Sequence, residues 1–553
     1  MRPSRSGAAV LGWGMLAVAA VFFVLHFLHL DADFPNNSPW MDWSKYTDEG
    51  WYGDAAIRHY LTGHWYWKGD FNPAVALPVW PALELIFFKF AGVSTYSART
   101  LTLLVFLLTL VTFYRLIARH THPLSQTSGP QLAGAMTMLF LCCSPYIYVF
   151  ERMAILEPLL IALTALALLV ASHLRPWRNV TDDSQTSTES GIRGHISPVA
   201  ILLSVALGVL LAAMVLTKTT AICVIPAIGY MVWARAGYRL KPAIRLAVAP
   251  AIAGVALWLA YFALFVHPHY LEDYRYLFSA NAYTGIELEA FHTVILNTIT
   301  DGVWMGHVLY PLFYAVLALA LFWRPRVFRN PLFPALLLWA AGYFAFLAYH
   351  NNLQPRYYLV VAVPITVMVA LGLDSFREAG GRMRWLTGSL VAAAVLGIVI
   401  PDAMEQADFI AHPEYTFRAA AEGIKHIVLE DKDHPHLVLS ISGSDLTLMT
   451  GLPSIDDDFG TLDLDKRVLQ YRPGWYAAWN ELDDDKMDAL TPLYNAVRVA
   501  AFPSMDDPDR NLLILYRLDP KTPSAPVTHK RKPTPKPLKT KLGQQPSTNQ
   551  LEH

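Results

Sequence analysis

Two acids stand side by side in the stretch YTDEGWYGDAAIRHYL (46–61), in the segment that follows the first apolar run of the chain. Asp48 and Glu49 open a helix-like segment that also carries Tyr52, Ala55, Ala56, His59 and Tyr60. One reading is that Asp48 caps that helix, where a carboxylate favours the free N–H groups. The other is that it takes a proton from a reacting hydroxyl. Three further residues bear on the choice. Glu157 sits beside Pro158 in SPYIYVFERMAILEPLL (144–160), where a new apolar run begins. An acid there is costly unless it is paired or wetted, although an interfacial surface Glu, or a structural pair with Arg152, is the alternative. Lys218 interrupts the apolar run GVLLAAMVLTKTTAICVIP (208–226), either as a snorkelling turn residue or as a functional cation. Arg356 lies in YHNNLQPRYYLVVAVP (349–364), between an interfacial anchor flanked by Tyr357 and Tyr358 and a phosphate ligand. Two acidic and two basic sites at the ends of different apolar runs suit a reaction between a hydroxyl group and an anionic lipid. The carboxylate accepts the hydroxyl proton, and the guanidinium and ammonium hold a phosphate and stabilise its charge as it leaves. Phosphate is a good leaving group already, so no strong general acid is needed.

The elements that must position these residues are membrane spans. Of 553 residues, 54% are hydrophobic and 16% charged, where a soluble chain would carry about a quarter charged. Mean hydropathy is +0.32. The apolar residues come in blocks of about 20, the length a helix needs to cross a bilayer. The spans expected are 8–29, 97–118, 131–150, 158–174, 198–216, 219–234, 243–266, 305–323, 332–349, 357–374 and 385–402. With the N-terminus cytoplasmic, every even-numbered span ends in an arginine cluster on the inside, the last being Arg377, Arg382 and Arg384. The run PVWPALELIFFKFAG (78–92) holds Glu84 and Lys89 and reads as an interfacial helix on the outer leaflet. His26 and His29 end the first run in place of a cleavage site, so it reads as a retained span and not a signal peptide. Cys142, Cys143 and Cys223 all lie in apolar segments and read as reduced core residues. A net charge of −1 points to no particular partner, and no nucleic acid is expected.

Outside the membrane the reading gives a first outer loop at 30–96, the turn FERMAILEP, a loop at 267–304, and everything after 402. Residues 1–402 form the membrane module. Residues 403–520 turn acidic, with the β-like runs HLVLSIS and NLLILYRL and the helix-like stretches TFRAAAEGIKHIVLE and DDKMDALTPLYNAVRVA. They read as a small α/β domain. Residues 521–553 are a basic Pro/Lys-rich tail expected to be disordered, ending in Leu-Glu-His that reads as the start of a vector-encoded tag.

TDEGWYGDAAIRHYLTGHW resembles the first outer loop of the GT-C superfamily of lipid-linked-sugar glycosyltransferases. The branch it is most similar to contains the bacterial lipid A aminoarabinose transferases and the protein O-mannosyltransferases. In that branch an acid pair opens the first juxtamembrane helix, followed by a Pro-containing interfacial helix and an Arg before span two. Here these are Asp48-Glu49, ALPVWPALELIFFKFAG and Arg99. ERMAILEPLL looks like the second acidic motif, with Glu157 where Asp is more usual. LTKTTAI is similar to the Lys-bearing turn, and PRYYLVVAVP to the late Arg-Tyr motif. The resemblance runs over residues 10–375 in order. It implies a polytopic helical membrane fold and inverting transfer of a sugar from a polyprenyl phosphate to a hydroxyl of a glycan, lipid or protein. It implies Asp48 as general base, with Glu49 and Glu157 positioning the acceptor or tuning that base. Lys218 and Arg356 would bind the donor phosphate, joined by Arg58. Tyr52, Tyr357 and His267 are further pocket candidates. His64, His267 and His269 offer nitrogen ligands without a tight metal pattern, so a divalent metal stays open. The trefoil-type domain of the mannosyltransferases has no counterpart, which favours a bacterial inner-membrane enzyme with the C-terminal domain in the periplasm or outside the cell. A transporter would show inverted repeats and mid-membrane charges. A membrane-anchored binding protein would work through the C-terminal domain alone.

Overall fold

The computed structural model describes residues 5–35, 37–45, 47–121, 130–174, 198–280, 306–323, 325–350, 354–379, 383–440, 443–480, 484–504 and 510–521, with His292, Thr293 and Leu296. Most of the second half of the expected 267–304 loop, and the basic tail beyond Lys521, lie outside the described residues.

The chain is a mostly helical membrane protein with a small C-terminal sheet. Among the described residues, seven helices are long and apolar enough to cross a membrane, and four shorter apolar helices join them. All fall at expected spans. In the central helices Pro355–Glu378 and Leu156–His173, 78% and 72% of the apolar window is buried in protein. For Leu240–His269 the share is 11%, so most of its apolar side chains lie on the outside of the bundle, as suits a helix bordering lipid. The third expected span is broken. Its helix Leu132–Cys143 stops at Ser144, whose hydroxyl accepts from the Ile147 amide, and a new short helix Pro145–Phe150 follows. Pro145 forces that break, because the residue before a proline is pushed out of the helical region. Cys142 and Cys143 are buried free thiols and Cys223 is half-buried.

The segment between the first two spans carries the helix Asp48–Thr62, ended by Gly63 at φ 80°, and the helix Val79–Ala91. Trp80, Glu84 and Phe88 lie fully buried at i, i+4, i+8 of the latter, while Ile86 and Phe90 stand exposed. One face packs on protein and the other on the surroundings, the pattern of a helix lying along an interface.

The expected domain boundary at 402/403 falls inside a helix, which runs unbroken from Arg384 to Ala411. The domain beyond it has the helix Thr416–Glu430 and a five-stranded sheet: β1 (Val438–Leu439), β2 (Ser454–Ile455), β3 (Trp475–Trp479), β4 (Tyr494–Pro503) and β5 (Leu512–Pro520). Their order is β2-β1-β3-β5-β4, with β1 parallel to β2 and β3, and β5 antiparallel to β3 and β4. The expected helix over DDKMDALTPLYNAVRVA is corrected here. Only Asp484–Leu490 is helical, and Tyr494 begins β4. Pro492 stops the helix, and the alternation Val497-Arg498-Val499 then favours a strand. The domain sits directly on the segment between the first two spans: Leu448 packs in one apolar cluster with Ile57, Trp80, Phe88 and Leu159.

Candidate active site

The Asp48 helix begins with Thr47 at its N-cap, and its first backbone bond runs from the Trp51 amide to the Thr47 carbonyl. Neighbouring residues on a helix point about 100° apart, so Asp48 and Glu49 face different partners. Glu49 turns to Arg99, which donates from Nε and Nη2 to its two oxygens at 2.8 and 2.6 Å. The Ala154 amide donates to the same carboxylate at 2.8 Å. Arg99 also donates to the carbonyls of Leu30 and Ala32. Both carboxylate oxygens are engaged, and Glu49 ties its loop to the second span and to the turn before the fourth instead of facing Asp48's partners.

Asp48 turns to Arg356, whose Nη2 stands 2.8 Å from Asp48 Oδ2. The approach is off the hydrogen-bonding direction, so that oxygen keeps no hydrogen-bond partner in the protein. Thr47 donates its hydroxyl to the other oxygen at 3.1 Å. Arg356 in turn is held by Asp42, which pairs with its Nη1 and accepts from its backbone amide at 2.8 Å. The guanidinium lies over the Tyr357 ring, 4.8 Å from its centroid, and the Lys218 ammonium lies over the same ring at 4.3 Å. Lys218 pairs with Glu157 Oε1, leaving Oε2 buried without a protein partner. Thus Asp48, Arg356, Tyr357, Lys218 and Glu157 form one connected group drawn from the first loop and three different spans or span ends. Tyr52, one turn beyond Asp48, feels the charges of Asp48, Arg356 and Glu157. Burial above all holds its phenol protonated, well above the usual tyrosine range.

Burial is also the main force on Asp48, raising its carboxyl above the ordinary aspartate value. The Arg356 charge works against that rise, while the negative charges of Asp42 and Glu157 add to it.

The remaining candidates lie elsewhere. Arg58 is ten residues, about 15 Å, along the helix from Asp48. It is buried with Asp54 at 2.8 Å and Asp70 at 2.5 Å, and its guanidinium stacks over Trp67. Asp70 pairs in turn with Arg467 of the C-terminal domain at 3.0 Å. Arg58 therefore belongs to the domain junction and is not joined to Lys218 and Arg356. His267 is exposed at the end of the Leu240–Tyr261 helix, its ring tilted against Phe262, and His64 and His269 are exposed too. Among the described residues, no group of three or more His, Cys, Asp or Glu side chains is placed to hold a metal ion. Between Asp42 and Asp48, where two carboxylates would suit a cation, the Arg356 guanidinium is already bound.

Asp42 is the residue that sequence reasoning passed over. The only local signal is a further acid in MDWSK, six residues before Asp48 in the same loop. Its partner is 314 residues away.

No protein-family model matches the sequence, and no curated protein matches it. Solved structures do. ArnT from Cupriavidus metallidurans bound to undecaprenyl phosphate superposes with a TM-score of 0.59 at 15% identity, over 91% of this chain and 98% of that one. Its apo form gives 0.52 at 14% identity, over 92% and 98%. The archaeal oligosaccharyltransferase AglB from Archaeoglobus fulgidus, in complex with an inhibitory peptide and a dolichol-phosphate, gives 0.50 at 11% identity, over 92% and 76%. The chain has the GT-C fold.

Proposed function

We propose that this GT-C-fold chain is an inverting glycosyltransferase that moves a sugar from a polyprenyl-phosphate donor to a hydroxyl of a glycan, lipid or protein acceptor. It works on the outer face of a bacterial inner membrane that it crosses eleven times, with the N-terminus in the cytoplasm. The observation that carries the reading is the ion pair between Arg356 and Asp48, which joins a base to a phosphate-binding cation at the outer ends of the spans.

In this reaction Asp48 takes the proton of the acceptor hydroxyl. The hydroxyl oxygen forms its bond to the anomeric carbon from the side opposite the phosphate, and the bond from that carbon to the phosphate oxygen breaks. The leaving polyprenyl phosphate takes the electron pair, and the charge is met by Lys218 and Arg356. A buried carboxylate with a raised pKa is a better proton acceptor than one in water, provided it is ionised at the working pH. Glu157 Oε2, buried without a protein partner, and Asp48 Oδ2, met only by the Arg356 ion pair and by no protein hydrogen bond, are acceptors that a hydroxyl can satisfy. Tyr357, under both cations, fixes their spacing. ArnT was solved with undecaprenyl phosphate and AglB with dolichol-phosphate and a peptide, and the lipid phosphate common to both supports the donor class proposed here.

The test is transfer by the purified full chain from a panel of radiolabelled polyprenyl-phosphate sugars. Asp48→Asn is expected to lower turnover by about a thousandfold, within the range of a lost general base, while the protein stays folded. Full turnover in that variant rejects the base assignment. A chain that turns over no lipid-linked sugar but moves solute across vesicles is a transporter.

A further inference from the structure

We infer that Asp445, in the C-terminal domain, is a positioning residue for the Asp48 helix, capping its N-terminus from a distant part of the chain. The inference rests on the proposed role of Asp48.

The first amides of a helix have no partner within it, and the N-cap side chain ordinarily takes one of them at the second or third helical position. Thr47 holds the N-cap place and has a suitable hydroxyl, yet it makes no capping bond. Its hydroxyl donates to the Asp48 carboxylate instead. The third amide of the helix, that of Gly50, is thereby left without its usual acceptor. Asp445 Oδ1 accepts from it, across 395 residues of sequence. Gly50 makes the approach possible, because a Cβ there would collide with the backbone of Ser444 and Asp445. Orienting the base and capping its helix are thus divided between Thr47 and Asp445, and the second task falls to the outer domain.

The exchange is reciprocal. Asp33 of the first outer loop accepts from the amides of Phe417 and Arg418, at 2.8 and 3.1 Å, at the start of the domain's own helix Thr416–Glu430. The domain stays seated without Asp445, since Ser444 donates to Asp54 at 2.6 Å, Trp51 to Asp456 at 3.0 Å, and Arg467 pairs with Asp70.

Hydrogen exchange on the full chain in detergent reads the cap directly. Asp445→Ala is expected to speed exchange of the Gly50 amide by about tenfold or more, with the rest of the helix little changed. Asp445→Asn keeps an acceptor oxygen and is expected to restore slow exchange. With the radiolabelled polyprenyl-phosphate sugar that the panel selects, Asp445→Ala should lower kcat about 10- to 100-fold, as small misplacements of a reacting group do, with donor KM within about twofold. Binding of undecaprenyl phosphate alone should not change. In the Asp48→Asn background, Asp445→Ala should bring no further loss. Unchanged Gly50 exchange in Asp445→Ala, or failure of Asp445→Asn to restore kcat, overturns the inference, as does a full further loss in the Asp48→Asn background. Full turnover in Asp48→Asn alone instead rejects the base assignment, and the exchange measurement still reads the cap.

Discussion

The Asp48–Thr62 helix carries buried ion pairs at its start, around Asp48, and toward its other end, around Arg58, yet the two are built differently. At the far end, every carboxylate oxygen is taken. Asp54 accepts from Ser444 and pairs with Arg58, and Asp70 receives Arg58 on one oxygen and Arg467 on the other. At the near end, Asp48 meets Arg356 through an ion pair, whereas Glu157, paired with Lys218 on one oxygen, keeps the other buried without a protein partner. Buried charge alone therefore does not separate a working site from a structural junction. A completed set of partners marks a clamp that is costly to break, whereas a carboxylate left one partner short beside a cation has capacity for a ligand.

The sharpest break of that comparison, after Asp48 itself, is at Arg356. Arg356→Ala is expected to lower kcat/KM about 100-fold, in the range of a lost charge-stabilising donor, with donor KM raised. The pH profile should move as well. With Asp48 as the proposed ionised base, activity is expected to rise with pH through its raised pKa and to be lost as the pH falls below it. The acid limb of kcat/KM therefore lies above the usual aspartate value of about 3.9. Arg356→Ala removes the charge that restrains the rise, so the limb moves to higher pH. An unchanged donor KM with an unshifted limb would remove Arg356 from the site.

Asp42→Asn is a smaller perturbation with the opposite sign. It takes away a negative charge that raises the Asp48 pKa, so the acid limb is expected to move to lower pH. It also loosens the hold on Arg356, for which about a tenfold loss of kcat/KM is expected. A limb that moves upward would show that Asp42 acts on Asp48 only through Arg356.

What the sequence made legible was position relative to the membrane. Glu157, Lys218 and Arg356 stood out because each interrupts or ends an apolar run, where a charge demands a reason, and Asp48 because it opens a helix-like segment in the loop after the first run. Direction within an element was not legible. Nothing in DEGWY tells that Glu49 turns to Arg99 while Asp48 turns to Arg356, because both partners come from helices whose placement is tertiary. Arg58 drew attention through its spacing from Asp48, but its partner Asp70 lies in a loop and is shared with Arg467 of another domain. The strand over 494–503 was hidden by helix-forming residues before Pro492, whose breaking effect outweighs them. Asp445 looked like one acid among many in an acidic domain. Its contact with Gly50 depends on a missing Cβ, which reads in a sequence as an ordinary helical glycine.

The smallest effect on turnover is expected at Arg58, and it carries the comparison's other half. Arg58→Ala leaves Asp54 and Asp70 buried without their shared cation, and breaking a buried pair of this kind costs about 3 kcal/mol. The loss should appear as a lower midpoint of thermal unfolding and as easier proteolysis around the domain junction. Turnover per folded molecule should stay within about twofold of the parent, because the groups around Asp48 are about 15 Å away along the helix. Arg58→Lys should recover part of the stability, since an ammonium can reach one acid but not fork between two. If Arg58→Ala instead raised the donor KM while leaving the unfolding midpoint unchanged, the far end of the helix would be a phosphate-binding surface, and complete pairing would no longer serve to tell clamp from site.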